Sequence, residues 1–164
     1  MNAVKEEALF AMEDDLHDSA VAEEAYADSR KYLIFTTDNL KLGVDAGYVV
    51  EILNNQTITY LPMMPEYIRG VFNMRGQIIP VMDIRMRLGK MPVDDNDLLI
   101  VLNYQNSQLG ILVDAVEQMI DIPDEILMPM PAQSNQRLVS AMCTIPDGSG
   151  TMLVLDCEQL VHHE

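Results

Sequence analysis

The chain has 164 residues, 49% of them apolar and none of them Trp, enough for a core in one domain or two small lobes. No apolar run approaches the ~18 residues that cross a bilayer, and the acidic opening Met1-Asn2-Ala3-Val4-Lys5-Glu6-Glu7 is unlike a secretory signal, which predicts a cytoplasmic protein without direct membrane insertion. A formal net charge of −16 argues against nucleic acid or an anionic membrane surface as partner, because both are polyanions.

Residues 1–29 read as a mobile acidic extension, although Leu9, Met12, Leu16 and Ala20 recur at helical spacing. From residue 30 to 164 the pattern is mainly β. Tyr32-Leu33-Ile34-Phe35-Thr36 is a strand, and Asp38-Asn39 turns the chain into Leu40-Lys41-Leu42-Gly43-Val44. Asp45 to Asn54 is ambiguous between a short helix and a strand. Thr57-Ile58-Thr59-Tyr60-Leu61 predicts another strand, and Pro65-Glu66-Tyr67-Ile68-Arg69 a single helical turn opened by Pro.

The run Gly70-Val71-Phe72-Asn73-Met74-Arg75-Gly76-Gln77-Ile78-Ile79-Pro80-Val81-Met82-Asp83-Ile84 carries the most information. Two apolar β runs meet at Arg75-Gly76, where Gly supplies the positive φ of a tight hairpin. Asp83 can cap the short helix that Ile84 begins. Pro80 cannot donate to a ladder, so its strand lies at an edge or turns that position away from its neighbour. The unit holds no nucleophile, metal cluster or phosphate loop, and no cofactor is expected; it is built to present a surface.

Further on, Leu98-Leu99-Ile100-Val101-Leu102 and Gly110-Ile111-Leu112-Val113-Asp114 flank a hairpin turn at Gln105-Asn106-Ser107. Val116 to Ile122 is a strand with one wet face. A last hairpin runs from about Leu138 to Leu155, and Asp156 caps a terminal helix through Val161. In that hairpin Cys143 would fall near Val154 and Cys157 near Ser140, roughly 10 Å apart, too far to bridge, so both are expected as reduced core thiols.

Charge is unevenly spread. Residues 1–30 hold nine acids and two bases, whereas residues 69–90 hold Arg69, Arg75, Arg85, Arg87 and Lys90 against Asp83 alone. These bases form either a solvated face with ordinary counter-charges or a basic spot for an acidic partner surface, and Arg75 at its turn tip best fits the second. Met63, Met64, Met74 and Met119, among thirteen methionines, either fill the core or soften a partner groove.

A repeat organises the elements. Leu42-Gly43-Val44 is similar to Leu109-Gly110-Ile111, and each reaches a proline nineteen residues after its Gly, at Pro62 and Pro129. Val50-Glu51-Ile52 has a weaker echo in Val116-Glu117-Gln118. Gly76 with Val81-Met82-Asp83-Ile84 parallels Gly150 with Val154-Leu155-Asp156-Cys157. Two similar β lobes packed together explain this pattern.

The sequences Val71-Phe72-Asn73-Met74-Arg75-Gly76 and Ile79-Pro80-Val81-Met82-Asp83 resemble the signature of the CheW-like chemotaxis coupling proteins of bacteria, and the two glycine triplets resemble its flanking motifs in the same order. The resemblance spans about Lys31 to Val161. It implies two SH3-like β-barrel lobes and a non-catalytic adaptor that couples methyl-accepting chemoreceptors to a CheA-type histidine kinase, as a monomer or array component at the inner membrane. It also implies a receptor groove between the lobes involving Val49, Glu51, Gly70, Asn73, Arg75, Leu98 and Met119. For Val49, Leu98 and Met119 plain core packing is the alternative, and Arg75 could instead rigidify its own hairpin. A CheW-like adaptor in a non-flagellar pathway, such as surface motility, fits the same residues.

The rival class is a small acidic enzyme. Asp83, Asp114, Asp121 and Asp156 could pair as acid and base, yet each stands at a strand end where capping or turn roles suffice. Asp94-Asp95-Asn96-Asp97 resembles a calcium loop, but Leu99 and Ile100 fall where a ligand and the Gly belong. His162-His163-Glu164 could hold metal only weakly.

Overall fold

The apolar runs either side of Asp38-Asn39 pair as β1 (Ser29–Thr37) and β2 (Leu40–Asp45), and both turn residues take positive φ, as a two-residue hairpin demands. The computed structural model describes residues 28–131 and 138–162, so the expected acidic extension lies outside the described residues apart from its last two positions. A 3-10 turn at Ala46–Tyr48, capped by the Asp45 carboxylate, leads to β3 (Val49–Leu53), so the ambiguous stretch is both turn and strand. Next come β4 (Ile68–Met74), β5 (Gln77–Asp83), α1 (Ile84–Arg87), β6 (Leu98–Tyr104), β7 (Ser107–Val113) and β8 (Ala115–Pro123). The chain closes with β9 (Met128–Pro129), β10 (Val139–Thr144), β11 (Thr151–Leu155) and α2 (Cys157–Val161).

These strands form two sheets, ordered β8-β1-β2-β11-β10-β9 and β3-β6-β7-β5-β4. The repeat is visible in the pairing. Each sheet holds one parallel pair next to an antiparallel hairpin, with Gly43 opposite Val154 in the first and Gly110 opposite Val81 in the second. Asp83 and Asp156 each cap the helix that follows, and their N–H groups donate to Tyr67 O and Leu138 O, both at 2.7 Å. The lobes are interleaved along the chain, since β3–β7 of the second sheet lie between β2 and β8 of the first.

Alternation explains why the central strands read as unbroken apolar runs. In β1, Tyr32 and Ile34 join a core inside the first lobe, whereas Leu33 and Phe35 join the core shared by both sheets. In β6, Leu99 and Val101 pack inside the second lobe, and Ile100 and Leu102 face the shared core. Strands buried on both faces lose the period-two signal.

Three expectations need correction. Thr57–Leu61 forms no strand, because only Thr59 bridges to Val71 before Pro62 and the positive-φ Met63 turn the chain away. Pro65–Arg69 holds one turn, with Ile68 N–H donating to Pro65 O at 2.9 Å, but Ile68 and Arg69 already belong to β4 because Ile68 is buried in the shared core. Cys143 lies opposite Met152 rather than Val154, since the final loop is longer than Asp147–Gly150. The conclusion about the thiols stands: both are free and buried, Cys143 in the first lobe and Cys157 in the shared core.

Pro80 meets neither expectation in full. Its strand β5 is interior, yet Val71 opposite it turns both backbone groups outward to Thr59 (2.9 and 2.7 Å), so the proline nitrogen faces β7. There the parallel register runs only over Val81–Asp83.

Candidate functional site: the seam between the lobes and the second barrel's mouth

Residues directly opposite in a ladder share a face, so register assigns each candidate a direction. Val49 lies opposite Leu102 and Ile52 opposite Ile100, which turns both toward the shared core. Leu98 alternates with Ile100 and packs against that core, half-buried. From the other sheet, Met119 lies opposite Leu33 and faces the same layer. β3 and β8 are edge strands, so Ile52 (40% exposed) and Met119 (52%) stay open to a partner where Leu33 and Ile100 are closed.

A bulge between Val49 and Glu51 re-aims the strand, and Glu51 lies opposite Val101 on the inner face of the second lobe. Arg75, at φ +52 in the β4–β5 turn, reaches back to it, with Nη2 donating to Glu51 Oε1 at 3.0 Å. This pair joins the turn of one edge strand to the other edge strand and so closes the mouth of the second barrel. The Arg75 side chain is still 76% exposed. Asn73 Oδ1 accepts from Gly76 N–H at 2.9 Å and closes the hairpin. Gly70, at φ +147, lies against the Thr59 backbone, where an added Cβ would fall 2.1 Å from Thr59 O.

The structure thus brings Glu51 and Arg75 into contact, places Val49, Leu98 and Met119 along the seam, and ties Asn73 and Gly70 to local backbone. Ile52 belongs with the seam residues and was missed. Its segment read equally as helix or strand, and without a register no face could be given to it. Of the methionines singled out, Met74 is buried, whereas Met63, Met64 and Met119 are exposed.

The basic stretch resolves as internally paired charge. Arg85 donates to both carboxylate oxygens of Asp114 and to Asp38 Oδ1 (3.4 Å), and Lys90 Nζ lies 3.5 Å from Asp38 Oδ2. Arg87 stacks 4.8 Å over the Tyr67 ring, and Arg69 lies 3.9 Å from buried Asp83. Arg85 and Lys90 thus have ordinary counter-charges, Arg87 a ring contact, and Arg75 alone of the five keeps most of its side chain in solvent. Burial opposes ionisation of Asp114, but the hydrogen bonds from Arg85 and from the Asp38 N–H outweigh it and hold the carboxyl below its ordinary value. Among the described residues no group of His, Cys, Asp and Glu could hold a metal ion, and no helix is long and apolar enough to cross a membrane.

The chain matches the CheW-like domain family over residues 31–164. It is 32% identical over 138 residues to the chemotaxis protein CheW of Klebsiella aerogenes, covering 82% of this chain and 83% of that one. The probable chemotaxis protein CheW of Rhizobium etli is 33% identical over 108 residues, covering 65% and 70%. The crystal structure of a scaffolding CheW protein from Thermoanaerobacter tengcongensis superposes with a TM-score of 0.71 at 27% identity, covering 77% of this chain and 88% of that one. Two pseudo-repeated β lobes, the Asp-capped helices and the Arg75–Glu51 rim coincide in a chain that belongs to the CheW family.

Proposed function

We propose that this protein is a non-catalytic adaptor that couples methyl-accepting chemoreceptors to a CheA-type histidine kinase in chemotaxis, in arrays on the cytoplasmic side of the inner membrane. The observation that carries this reading is the seam, where edge strands from two lobes present apolar residues beside an exposed cation already held in register by Glu51. A receptor segment would bury Val49, Ile52, Leu98 and Met119 against its own apolar side chains, and Arg75 and Glu51 would fix its orientation. Asn73 and Gly70 serve by setting the hairpin and its approach to Thr59. Relatives named for chemotaxis favour this pathway over a non-flagellar one. Co-sedimentation tests it: receptor-bearing membranes should retain the purified kinase only when micromolar adaptor is added. Kinase left in the supernatant at that concentration would falsify the coupling role.

A further inference from the structure

Residues 1–27 precede the described structure, and they join it beside the seam. The chain enters β1 at Ser29, opposite Pro123, and two pairs further along the same face Leu33 lies opposite Met119. The seam therefore begins four residues, about 13 Å, from the entry point. Residues 21–28 can span up to about 27 Å when extended, so residue 20 and those before it can lie over the seam.

The composition of that segment matches the surface. Leu9, Met12, Leu16 and Ala20 share one stripe at helical spacing, Glu13 borders the stripe one turn after Leu9, and Asp14, Asp15 and Asp18 fall on the opposite side. A helix of about a dozen residues is marginal alone, and clustered acids weaken it further, so the stripe needs an apolar surface to form against. Exposed Ile52 and Met119, with half-buried Val49 and Leu98, supply one. Charge selects it over others. Residues 1–27 carry −7 of the net −16, eight acids against Lys5, so the rest of the chain is also acidic and repels them unless cations stand nearby. Lys31 is exposed on the seam-side face of β1 and forms no ion pair with a described residue, although Asp121 lies opposite it. Arg75, on the second lobe's side, is held by Glu51 yet stays mostly in solvent. Another exposed apolar stretch, Tyr60 to Met64, contains no Lys or Arg and runs toward Glu66.

We propose that residues 9–20 fold back over the seam as a short helix, with Leu9, Met12 and Leu16 against Ile52, Leu98 and Met119 and the flanking carboxylates toward Lys31 and Arg75. The extension thereby competes with any partner that docks there. Tethering gives it an effective concentration in about the millimolar range, so a weak contact suffices. A partner that binds the seam more tightly displaces it. The fold-back stands apart from the receptor reading; its competition with the receptor rests on that reading.

The test uses the full chain with methyl-labelled methionine and a nitroxide on Ser19→Cys, the native thiols being buried. The Met119 methyl should broaden, and Leu9→Ser with Leu16→Ser, which keeps length and charge, should abolish the broadening. Without the nitroxide, that double variant should bind a purified cytoplasmic fragment of the cognate receptor roughly three- to tenfold more tightly than the parent, as when the open form rises from about 10–30% to nearly all. No broadening, or broadening equally strong when nitroxide and isotope sit on different chains, overturns the fold-back whatever the receptor does. Broadening with unchanged or weaker receptor affinity in the double variant overturns the competition. Arg75→Glu added to the double variant then decides the receptor reading, which stands if affinity drops and falls if it does not.

Discussion

Arg85 grips Asp114 through two hydrogen bonds at the point where the chain crosses from the second sheet back to the first. The Asp114 N–H is held by Thr36 O at 2.9 Å, and its carboxylate accepts from the Asp38 N–H at 2.8 Å, so this one residue joins strands of both lobes. Its acidity follows from that crowding. The folded state keeps the carboxyl below its unfolded value, and the resulting stability is complete at neutral pH and lost as pH falls through the folded pKa. Asp114→Asn should cost about 1–2 kcal/mol at pH 7. In thermal unfolding from pH 7 to pH 3, the gap between parent and variant should narrow below about pH 4; a constant gap would mean that the charge is not the source.

Arg75→Glu sets a second carboxylate against Glu51, but the arginine is mostly in solvent. Exposed ion pairs contribute about 0–1 kcal/mol to stability. The variant should therefore stay folded in urea titrations, shifted by no more than about 1 kcal/mol, while receptor affinity falls about tenfold or more. A large loss of stability would instead assign Arg75 to holding the barrel shut.

Gly70→Ala should be more damaging than any surface change in the hairpin. It places a methyl against the Thr59 carbonyl at a backbone angle that side chains rarely adopt. Strain of this kind costs about 1–3 kcal/mol, and the Thr59–Val71 bridge should open, seen as faster amide exchange at both residues. Retained protection there would show that the loop can yield.

Burial, followed by the negative charge of Asp156 and Asp45, pushes the Cys157 thiol up to about 12, and burial raises Cys143 as well. Neither thiolate is available at neutral pH. Iodoacetamide at pH 7.5 should leave both unmodified in the native protein and label two sites after unfolding. Rapid native labelling of Cys157 would contradict its place in the shared core.

Most hairpins were legible because their turns carry unambiguous chemistry: Asp38-Asn39, Arg75-Gly76 and Gln105-Asn106 all contain positive-φ residues. The two Asp caps were legible for the same local reason. Pairing across the chain was not. Ile52 could be placed only once β3 had a register with β6, and the Arg75–Glu51 contact depends on the barrel closing on itself. Thr57–Leu61 has strand composition but meets a neighbour at one residue only. Which carboxylates pair with the basic stretch was not legible, because Asp38 and Asp114 lie 47 and 29 residues from Arg85.

The interleaving of the lobes governs how the molecule is made. β2 must wait for β11, whose Leu153 and Val154 it pairs with, until almost the whole chain has left the ribosome. A product truncated before Thr151 has lost a central strand of the first sheet, not just a tail, and leaves β2 without its parallel partner.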